Sequence, residues 1–384
     1  MVDAQWPVMH DAIVVGGGIV GASVAYHLAR EDVDTLLVDR HDTGRATDAG
    51  AGIISPATSS RTASDRWFEF ALDAAAYYPE LVEHLENEQD GKTGYSDCSL
   101  LSVAVGEDEV PEYDAASERI RERQEKYDQP APGTTEEISS SEAQSRYPAL
   151  AETRRCRAYD GAARVDARTF TGALLRAGES HGLTVLDGDV TRIDHENGAV
   201  TAVETADGGR YESDAVAVAG GAWSPRFAES LGVSIPVEPQ RGQIIHLDLG
   251  ETDTSSWPIL SPFHGHYMVP WPDNRVAVGA TREVGSGFAP HTTAAGVHEV
   301  LGEALRVAPG LADAEIDEVR VGLRPRSADQ LPVLGAVPTV EGVHLATGHG
   351  ATGLQLGPYS GKLVADEMRG ESADIETFSV ERFE

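Results

Sequence analysis

We predict an α/β fold with two sheets, on the basis of three observations in a chain of 384 residues. Over residues 12–39, an apolar run, a glycine-rich turn, an alanine-rich helix and a second apolar run follow one another. The apolar run AVAVA also ends in paired glycines, Gly220 and Gly221, which predicts another strand leading into a glycine turn. Short apolar segments within residues 237–323 predict a second sheet. The length is sufficient for two domains with substantial cores.

The turn after the first predicted strand carries a glycine triplet. Gly16, Gly18 and Gly21 have G-x-G-x-x-G spacing, which permits a tight turn, close backbone approach to phosphates and close packing of helix on strand. The helix then presents its N–H groups and the positive end of its dipole to a pyrophosphate. Asp39 ends the next strand, where a carboxylate can bind ribose hydroxyls and would repel the 2′-phosphate of NADP. We therefore predict a Rossmann-like dinucleotide site; the alternative is a glycine-rich turn in an unrelated α/β domain.

The segment after Asp39 begins with a loop and continues into helices. Residues 40–60 are rich in Gly, Ala, Ser and Thr, which predicts an ordered loop close to the cofactor. Apolar residues at helical spacing predict a helix over residues 66–87, whose aromatic side chains we assign to the core. A strand over residues 98–105, a charged helix over residues 108–127 and a short helix ending near Tyr147 are predicted next.

The middle of the chain supplies the rest of both predicted sheets. A helix over residues 165–181 begins at Asp166, and short strands separated by the turns ENG and ADGG are predicted within residues 183–219. The second sheet is predicted to contain strands at residues 237–247, 266–271, 275–281 and 318–323, with a helix over residues 292–307 beside them.

The last part of the chain repeats the strand, glycine and helix order. Gly348, Gly350 and Gly353 again have G-x-G-x-x-G spacing, between a predicted strand at residues 343–346 and a predicted helix at residues 356–369. One interpretation is a second dinucleotide site, for example for NAD, but the sequence ends before a further strand with a terminal acid. The other is that this unit completes the first nucleotide domain and directs a helix N-terminus at the reactive ring of the cofactor. We favour the second interpretation.

The charge balance is strongly acidic. There are 30 Lys and Arg against 63 Asp and Glu, a formal net charge of −33, and lysine occurs only at Lys92, Lys126 and Lys362. Because such a surface repels itself unless salt screens it, we interpret it as adaptation to a salt-rich cytoplasm. The alternative is an acidic surface that docks a basic partner, which the even spread of acids disfavours. Nucleic-acid binding would need clustered Lys and Arg, and we expect none.

Several other classes of protein are disfavoured. No apolar run approaches the roughly 18 residues needed to span a bilayer, and the N-terminus lacks the pattern of a secretory signal, so we expect a cytoplasmic protein. Cys98 and Cys156 lie far apart without a C-x-x-C motif, which argues against a disulfide framework or zinc site. His264 and His266 form an isolated H-x-H without acids at ligand spacing, and no metal is expected.

Six segments together resemble the FAD-dependent D-amino-acid oxidase superfamily, within it the glycine oxidase, sarcosine oxidase and D-amino-acid dehydrogenase branch. They are DAIVVGGGIVGASVAYHLA, LLVDR, AVAVAGGAWSP, VEPQRGQIIHLD, YMVPWPDNRVAVGAT and GLRPRSADQLPVLG, the last followed by VHLATGHGATGLQLGPYSGKLVADEM. The resemblance implies a Rossmann-like, discontinuous FAD-binding domain and an antiparallel-sheet α+β substrate domain. We assign residues 1–95, 155–236 and 322–384 to the first domain and residues 96–154 and 237–321 to the second.

The resemblance also implies where FAD binds. The expected contacts are Gly16, Gly18, Ile19, Val20, Gly21, Asp39, Arg40, Arg45, Ala46, Thr47, Ala51, Gly52, Ile53, Val190, Gly220, Gly221, Trp223, Gly348, Gly350, Ala351, Thr352, Gly353 and Leu354. Related enzymes that attach FAD covalently do so through a cysteine in the C-terminal motif. This chain has none there, so the resemblance implies non-covalent FAD. The loop GRATDAGAG departs from the S-G-x-N-A-G of the family at Asp48 and Gly50.

Three residues are expected to act on the substrate. Arg324, in GLRP, matches the arginine that clamps the substrate carboxylate in glycine-oxidase-like members, and a guanidinium suits that role chemically. The alternative is a structural ion pair with a local acid such as Asp329. Tyr267 could donate its hydroxyl to the same carboxylate or be a core tyrosine, and His349 could tune the flavin, accept protons or be structural. Arg326 and Arg241 are weaker candidates for the carboxylate.

These residues predict oxidation of a small amino acid, of the glycine, sarcosine or D-amino-acid type, at its Cα–N bond. Hydride transfer to flavin N5 would give an imine and then a keto acid, with oxygen, a quinone or a protein as electron acceptor and a homo-oligomer possible. One alternative is oxidation of a hydroxy acid or glycerol phosphate, which needs a base such as His349 or His264. Another is a flavoprotein subunit of a larger complex without turnover of its own.

Overall fold

A computed structural model describes residues 8–61 and 64–384. The described residues form eight α-helices: α1 (Ile19–Arg30), α2 (Asp65–Glu88), α3 (Val110–Tyr127), α4 (Ser140–Arg146), α5 (Ala167–Ser180), α6 (Ala228–Leu231), α7 (Ala294–Val307) and α8 (Gly353–Met368). They also form twenty strands: β1 (Val8–Met9), β2 (Ala12–Val15), β3 (Thr35–Asp39), β4 (Ile53–Ile54), β5 (Tyr95–Ala104), β6 (Thr135–Glu137), β7 (Arg155–Val165), β8 (Thr184–Asp187), β9 (Val190–Glu196), β10 (Ala199–Thr205), β11 (Arg210–Glu212), β12 (Val216–Val218), β13 (Val237–Asp248), β14 (Ile259–Pro262), β15 (Tyr267–Pro270), β16 (Arg275–Gly279), β17 (Glu283–Val284), β18 (Glu315–Ser327), β19 (Val333–Ala336) and β20 (Val343–Thr347).

A six-stranded sheet in the order β19-β20-β12-β2-β3-β8 forms the nucleotide-binding part of the fold. All neighbouring pairs are parallel except β19 with β20. Strand β2 is buried along its whole length, as expected of a strand covered on both faces. Helices α1, α2 and α8 pack on one face, and a small sheet in the order β1-β11-β10-β9 covers the other. This is the predicted Rossmann-like arrangement.

A larger sheet of mostly antiparallel strands makes the second layer. Its main path is β17-β13-β16-β15-β14-β5-β7-β4, with β18 paired to β13 and β6 paired to β7. The long pair β13 and β18 brings residues 237–248 alongside residues 315–327. Helix α7 packs its apolar face against this sheet, where Val300, Ala304 and Val307 are buried. The prediction of a mixed α/β fold with parallel and antiparallel sheets is confirmed.

Helix starts follow ordinary capping chemistry, at Asp166 as predicted and at Ser64, two residues before the predicted start of its helix. Asp166 accepts a hydrogen bond from the amide of Thr169 at 2.9 Å and caps α5. Ser64 caps α2 by accepting from the amide of Trp67 at 3.1 Å. Such caps satisfy amides that the first helical turn leaves unpaired. Trp67 itself is buried, so the prediction that this helix contributes aromatic side chains to the core is confirmed.

Strand β7 is the largest element absent from the sequence prediction. Its residues pair with β5 from Tyr95 to Ala104, so residues 155–165 belong to the second sheet. The division predicted above assigns them to the FAD-binding domain. We propose that this segment of the FAD-binding domain begins at Asp166 instead. In the described part of the chain, no helix is both long and apolar enough to cross a membrane.

Candidate active site

A deep cleft opens at the carboxyl ends of the parallel strands and extends under the second sheet. It contains about 1590 Å³ of empty space, its open mouth included. Val15, Asp39, Ala219 and Thr347 stand at the ends of four neighbouring parallel strands and line it. The carboxyl edge of a parallel sheet is where open α/β folds bind their ligands. Its lining runs from the turn at Gly16 to Arg324 of β18, so a single cleft joins the glycine turn to the second sheet.

The cleft brings together most of the predicted site residues. Every predicted cofactor contact lines it except Gly21, Gly348 and Thr352, and all three predicted substrate residues line it as well. Sequence reasoning did not identify a further group of lining residues: Gly17, Asp42, Gly50, Gly188, Asp189, Arg226, Gly242, Ile244, Arg282 and Gln355. Most of these lie in loops that only the fold brings to the cleft.

The first glycine triplet has the steric properties that its spacing indicates. Gly16 has a φ of +107°, and a Cβ there would lie 2.6 Å from the carbonyl oxygen of Ala219. A Cβ on Gly21 would lie 1.9 Å from the carbonyl oxygen of Gly16, so this glycine seats α1 on its strand and stays outside the cleft. Gly18 opens into the cleft at the N-terminus of α1. The turn is therefore a cradle that side chains would fill, and it fits a pyrophosphate.

Asp39 lies beside this turn and is neutralised locally. Its buried carboxylate accepts a hydrogen bond from Arg45, and His41 Nδ1 lies 3.3 Å from Oδ2. Arg45 also binds both oxygens of Asp48, at 3.1 and 3.2 Å. The departure from the family loop at Asp48 is thus accounted for, because its charge is paired with Arg45.

The loop between β3 and β4 supports the first turn of α1. Thr47 Oγ1 accepts a hydrogen bond from the amide of Ile19 at 3.1 Å, and Ala46 and Ala51 line the cleft nearby. Gly52, with a φ of +76°, approaches β7 so closely that a Cβ would lie 1.9 Å from the carbonyl oxygen of Val165. The predicted ordered loop is therefore tied to α1 and to β7 of the second sheet.

The far side of the nucleotide end carries two more arginines. Arg40 and Arg226 share Asp189, with Nη1 to Oδ1 distances of 3.2 and 2.7 Å. Arg40 also stacks over the Trp223 ring, 5.5 Å from its centroid. Asp189 follows β8, the parallel neighbour of β3. Its position just after a strand of the parallel sheet is the sequence feature that could have identified it as a site residue.

The second glycine triplet joins the same cleft. Strand β20 lies in the parallel sheet beside β12, so the following turn and the N-terminus of α8 face the region that α1 faces. Gly350, Ala351, Gly353 and Leu354 line the cleft, whereas Thr352 donates its hydroxyl to the carbonyl of His349 at 2.8 Å. Gly348, with a φ of +76°, packs against Val333. This arrangement supports the interpretation of a single site that both triplets complete.

His349 is the only histidine among the described residues that line the cleft. Its side chain is buried, and Nε2 lies 3.0 Å from Ser360 Oγ on α8. Burial lowers the pKa of His349 to about 4, so the imidazole is neutral at neutral pH. These contacts match the structural alternative stated above, in which His349 holds the turn against α8.

Arg324 is held in the wall of the cleft by two strands and by the loop between β16 and β17. It lies on β18, and its Nη1 donates to the carbonyl of Thr281 at 2.9 Å. A Cβ on Gly242 would lie 2.3 Å from Nη1, so this glycine on β13 makes room for the guanidinium. Burial lowers the pKa of Arg324 from its usual value, although an arginine stays charged. Within the described chain it has no carboxylate within 4.0 Å.

The proposed alternative partner of Arg324 is engaged elsewhere. Asp329 binds Arg382, whose Nε lies 2.7 Å from Oδ2. The interpretation of Arg324 as half of an ion pair with Asp329 is therefore wrong, because the C-terminal segment supplies the cation for that acid. Arg241 binds Glu283 at 2.6 Å and lies outside the cleft, as does Arg326.

Two further residues stand beside Arg324. Tyr267 begins β15, and burial raises the pKa of its hydroxyl, while the nearby guanidinium groups of Arg324 and Arg282 oppose that rise. Arg282 lines the cleft, is exposed towards its mouth and donates Nη1 to the carbonyl of Gly265 at 2.6 Å. It has no carboxylate within 4.0 Å among the described residues. No motif in the sequence distinguishes Arg282 from the other arginines.

The remaining histidine and cysteine candidates lie away from the cleft. His264 contacts Asp108 and Glu303 at 3.1 and 3.2 Å on the surface, and His266 lies near Glu299. In residues 8–61 and 64–384, no group of three potential ligands is arranged to hold a metal. Cys98 and Cys156 are free thiols, and neither lines the cleft.

Comparisons with known proteins agree with this site. Residues 11–367 match the family model described as DAO, FAD dependent oxidoreductase. An uncharacterized oxidoreductase, YurR, of Bacillus subtilis (strain 168) is 40% identical over 96% of this chain and 97% of its own length. Iminodiacetate oxidase (IdaA) from Chelativorans sp. BNC1 has a crystal structure that superposes with a TM-score of 0.91 at 38% identity, covering 96% of this chain and 98% of that one.

Glycine oxidase from Geobacillus kaustophilus is a more distant structural relative. Its crystal structure superposes with a TM-score of 0.86 at 27% identity, over 97% of this chain and 98% of that one. The family model is described as FAD dependent, and the glycine cradle, Asp39 and the two helix N-termini of this chain fit FAD. The chain is an oxidoreductase that uses FAD and belongs to the FAD-dependent oxidoreductase (DAO) family.

Proposed function

We propose that this enzyme oxidises the Cα–N bond of a small amino acid or N-substituted amino acid. The observation that carries the proposal is Arg324, a cleft guanidinium held by the carbonyl of Thr281 and left without a carboxylate among the described residues. A partly buried cation of this kind needs an anion, and the substrate carboxylate supplies it in bidentate geometry. Relatives whose names state glycine or iminodiacetate oxidation support the same class of substrate.

The chain contributes binding and orientation to this reaction. Arg324 holds the carboxylate, and Tyr267 donates its hydroxyl to the same group. Together they fix the orientation of the Cα atom, so that its hydrogen points to the N-termini of α1 and α8. Ile244 and the rest of the second sheet cover the site and keep water away from it. FAD, when bound, supplies the two-electron acceptor. The amine loses two electrons and two protons to become an imine, and water then converts the imine to a keto acid and ammonia or a smaller amine.

The charge state of the histidines favours an amine over a hydroxy acid. Oxidation of a hydroxyl normally needs a base to accept its proton. His349 is hydrogen-bonded to Ser360, and its pKa of about 4, lowered by burial, makes it a weak base. His264 is paired with acids outside the cleft. An amine in its neutral form requires no such base, so the described cleft suits amine chemistry.

The test is an Arg324→Ala variant compared with Arg326→Ala, a change on the same strand outside the cleft. Glycine, sarcosine, proline and D- and L-amino acids are screened anaerobically for bleaching of the flavin absorbance, followed by re-oxidation with oxygen, a quinone or a dye. We expect at least one amine to bleach the wild type and Arg324→Ala to lower kcat/KM about 100-fold with unchanged FAD content, because a charge-assisted contact is lost. Arg326→Ala should change it little.

The outcomes separate the candidate functions. Bleaching by a hydroxy acid but by no amine would favour the hydroxy-acid alternative, and bleaching by neither would favour a subunit without its own turnover. An Arg324→Ala enzyme that retains FAD and full kcat/KM would overturn the clamp. We further propose a cytoplasmic enzyme adapted to high salt, supported by its net charge of −33 and only three lysines. The assays therefore belong in molar KCl.

A further inference from the structure

Arg282 is a second cation of the cleft that the proposed reaction does not yet use. It lies between Thr281, whose carbonyl binds Arg324, and Glu283, whose carboxylate binds Arg241 at 2.6 Å. One guanidinium nitrogen of Arg282 donates to the carbonyl of Gly265, and the residue lines the cleft. Glu283 is its chain neighbour, yet that acid is turned to Arg241. Arg282 is thus separated from the one acid that sequence alone would assign to it.

Arg282 and Arg324 differ from the other arginines of the cleft in having no carboxylate partner among the described residues. Asp and Glu outnumber Lys and Arg by 63 to 30, so an arginine can usually find a carboxylate. The three other cleft arginines, Arg40, Arg45 and Arg226, each have at least one within 4.0 Å. Arg282 and Arg324 have none among the described residues, although the charge of Arg282 itself acts on Arg324. Two like charges on one wall repel each other, and anions placed between or beside them remove that cost.

The two guanidiniums are tied to different parts of the wall. Arg324 is partly buried and anchored to Thr281, whereas Arg282 is exposed towards the mouth and anchored to Gly265, in the turn before β15. Tyr267 feels the charge of both. One carboxylate held by Arg324 would therefore leave Arg282 facing the part of the substrate that extends to the mouth.

We propose that Arg282 binds a second carboxylate and makes this enzyme selective for dicarboxylic amino acids over monocarboxylic ones. The inference rests on the proposed function, since it places the first carboxylate on Arg324. The second carboxylate comes either from the nitrogen substituent, as in N-carboxymethylglycine (iminodiacetate), or from the Cα side chain, as in D-aspartate. Both sources present the same group to Arg282, and the two arms of the test separate them.

The experiment compares Arg282→Gln and Arg282→Lys with Arg155→Gln, an exposed arginine of β7 that lies outside the cleft. Two substrate pairs differ only by the second carboxylate: N-carboxymethylglycine with sarcosine, and D-aspartate with D-alanine. In the wild type we expect the dicarboxylic member of one pair to have the higher kcat/KM. Arg282→Gln should lower that value roughly ten- to hundred-fold, while changing the monocarboxylic value less than about three-fold. Arg282→Lys should restore part of it, and Arg155→Gln should match the wild type.

A binding measurement makes the result independent of turnover. Diglycolate and methoxyacetate replace the nitrogen of N-carboxymethylglycine and sarcosine by oxygen, and titration calorimetry of the FAD-loaded enzyme gives their dissociation constants. Diglycolate should bind more tightly to the wild type, and Arg282→Gln should reduce that preference by the same roughly ten- to hundred-fold.

Equal losses for both members of a pair, or no loss for either, would overturn the role of Arg282 and leave the proposed function standing. If none of the four amines bleached the wild-type flavin and Arg324→Ala bound methoxyacetate as well as the wild type does, the proposed function would fall and this inference with it.

Discussion

The two ends of the cleft treat their arginines differently. At the nucleotide end, Arg45 pairs with Asp39 and Asp48, and the arginines around Trp223 pair with Asp189. At the substrate end, Arg324 and Arg282 have no such partners in the described chain. A paired arginine acts mainly through its geometry, whereas an unpaired one offers net charge to a ligand. The comparison indicates that shape dominates recognition at the first end and charge at the second.

We expect the largest effect from replacing one glycine by alanine at each end of the cleft, Gly21 at the nucleotide end and Gly242 at the substrate end. Gly21→Ala would place a Cβ 1.9 Å from the carbonyl oxygen of Gly16, and backbone cannot move aside as a side chain can. We expect purified Gly21→Ala to contain almost no FAD and to have no activity. Gly242→Ala would place a Cβ 2.3 Å from Nη1 of Arg324, which is the end of a flexible side chain. That variant should retain FAD and show a higher KM.

Flavin absorbance per mole of protein and KM measure these two results. Gly302→Ala is the control, because its Cβ would meet no atom within 4 Å and it lies on α7, away from the cleft. Replacing glycine by alanine in a helix should stabilise the fold by about 1 kcal/mol. Full FAD content in Gly21→Ala would show that the nucleotide end tolerates a change of shape, and would contradict the dominance of shape at that end.

The second prediction concerns the protonation of His349 at the substrate end. The unfolded chain protonates histidine near pH 6.5, whereas folded His349 does so only near pH 4, because burial lowers its pKa. Between these pH values the unfolded state binds more protons than the folded state. The contribution of His349 to stability is therefore complete above pH 6.5 and is lost as the pH falls to about 4. The difference corresponds to roughly 3 kcal/mol.

The measurement is the free energy of unfolding by urea from pH 4.5 to 7.5, in the wild type, His349→Gln and His298→Gln. His298 is an exposed histidine on α7 and serves as the control. The acid loss of stability should be smaller by up to about 3 kcal/mol in His349→Gln, and kcat should keep its pH profile above pH 6.5. A kcat profile that loses an ionisation in His349→Gln would instead make this residue a proton acceptor and a switchable charge of the substrate end.

The nucleotide end was the more predictable of the two from sequence. Gly16, Gly18, Gly21 and Asp39 are close in the chain, and local spacing alone determines their geometry. Arg324 was predicted through the GLRP motif, but its surroundings were not, since Gly242 lies on another strand and Thr281 in the loop between β16 and β17. Whether an arginine is paired depends on which acids the fold brings near it.

The failures at the substrate end have the same physical origin. Asp329 is the acid nearest to Arg324 in sequence, yet Arg382 from the C-terminal segment occupies it. Glu283 adjoins Arg282, yet it binds Arg241. Strand β7 was not predicted because its buried and exposed residues do not alternate regularly. The pairing of β5 with β7 also shifts register between Cys98 and Leu100 of β5. Long-range contacts decided each of these outcomes.

The smallest expected effect tests the paired arginines directly. Arg45→Gln removes the cation between Asp39 and Asp48 and leaves both carboxylates beside the pyrophosphate cradle. We expect FAD affinity to fall roughly ten-fold, because Asp39, the acid predicted to bind the ribose, loses its orientation and uncompensated negative charge lies near the predicted phosphate site. With FAD saturating, the KM of the substrate should be unchanged, since Arg45 provides no charge at the other end.

The dissociation constant of FAD, from fluorescence titration of the apoenzyme, measures the effect of this change. Arg154→Gln is the matched control: it breaks an exposed ion pair with Glu107 of 3.1 Å, of a kind worth at most about 1 kcal/mol. Asp48→Asn combined with Arg45→Gln should recover part of the affinity by removing one of the exposed negative charges. If Arg45→Gln raised KM in FAD-saturated enzyme as much as Arg282→Gln does, paired and unpaired arginines would act alike on the substrate. The distinction between the two ends would then have to rest on shape alone.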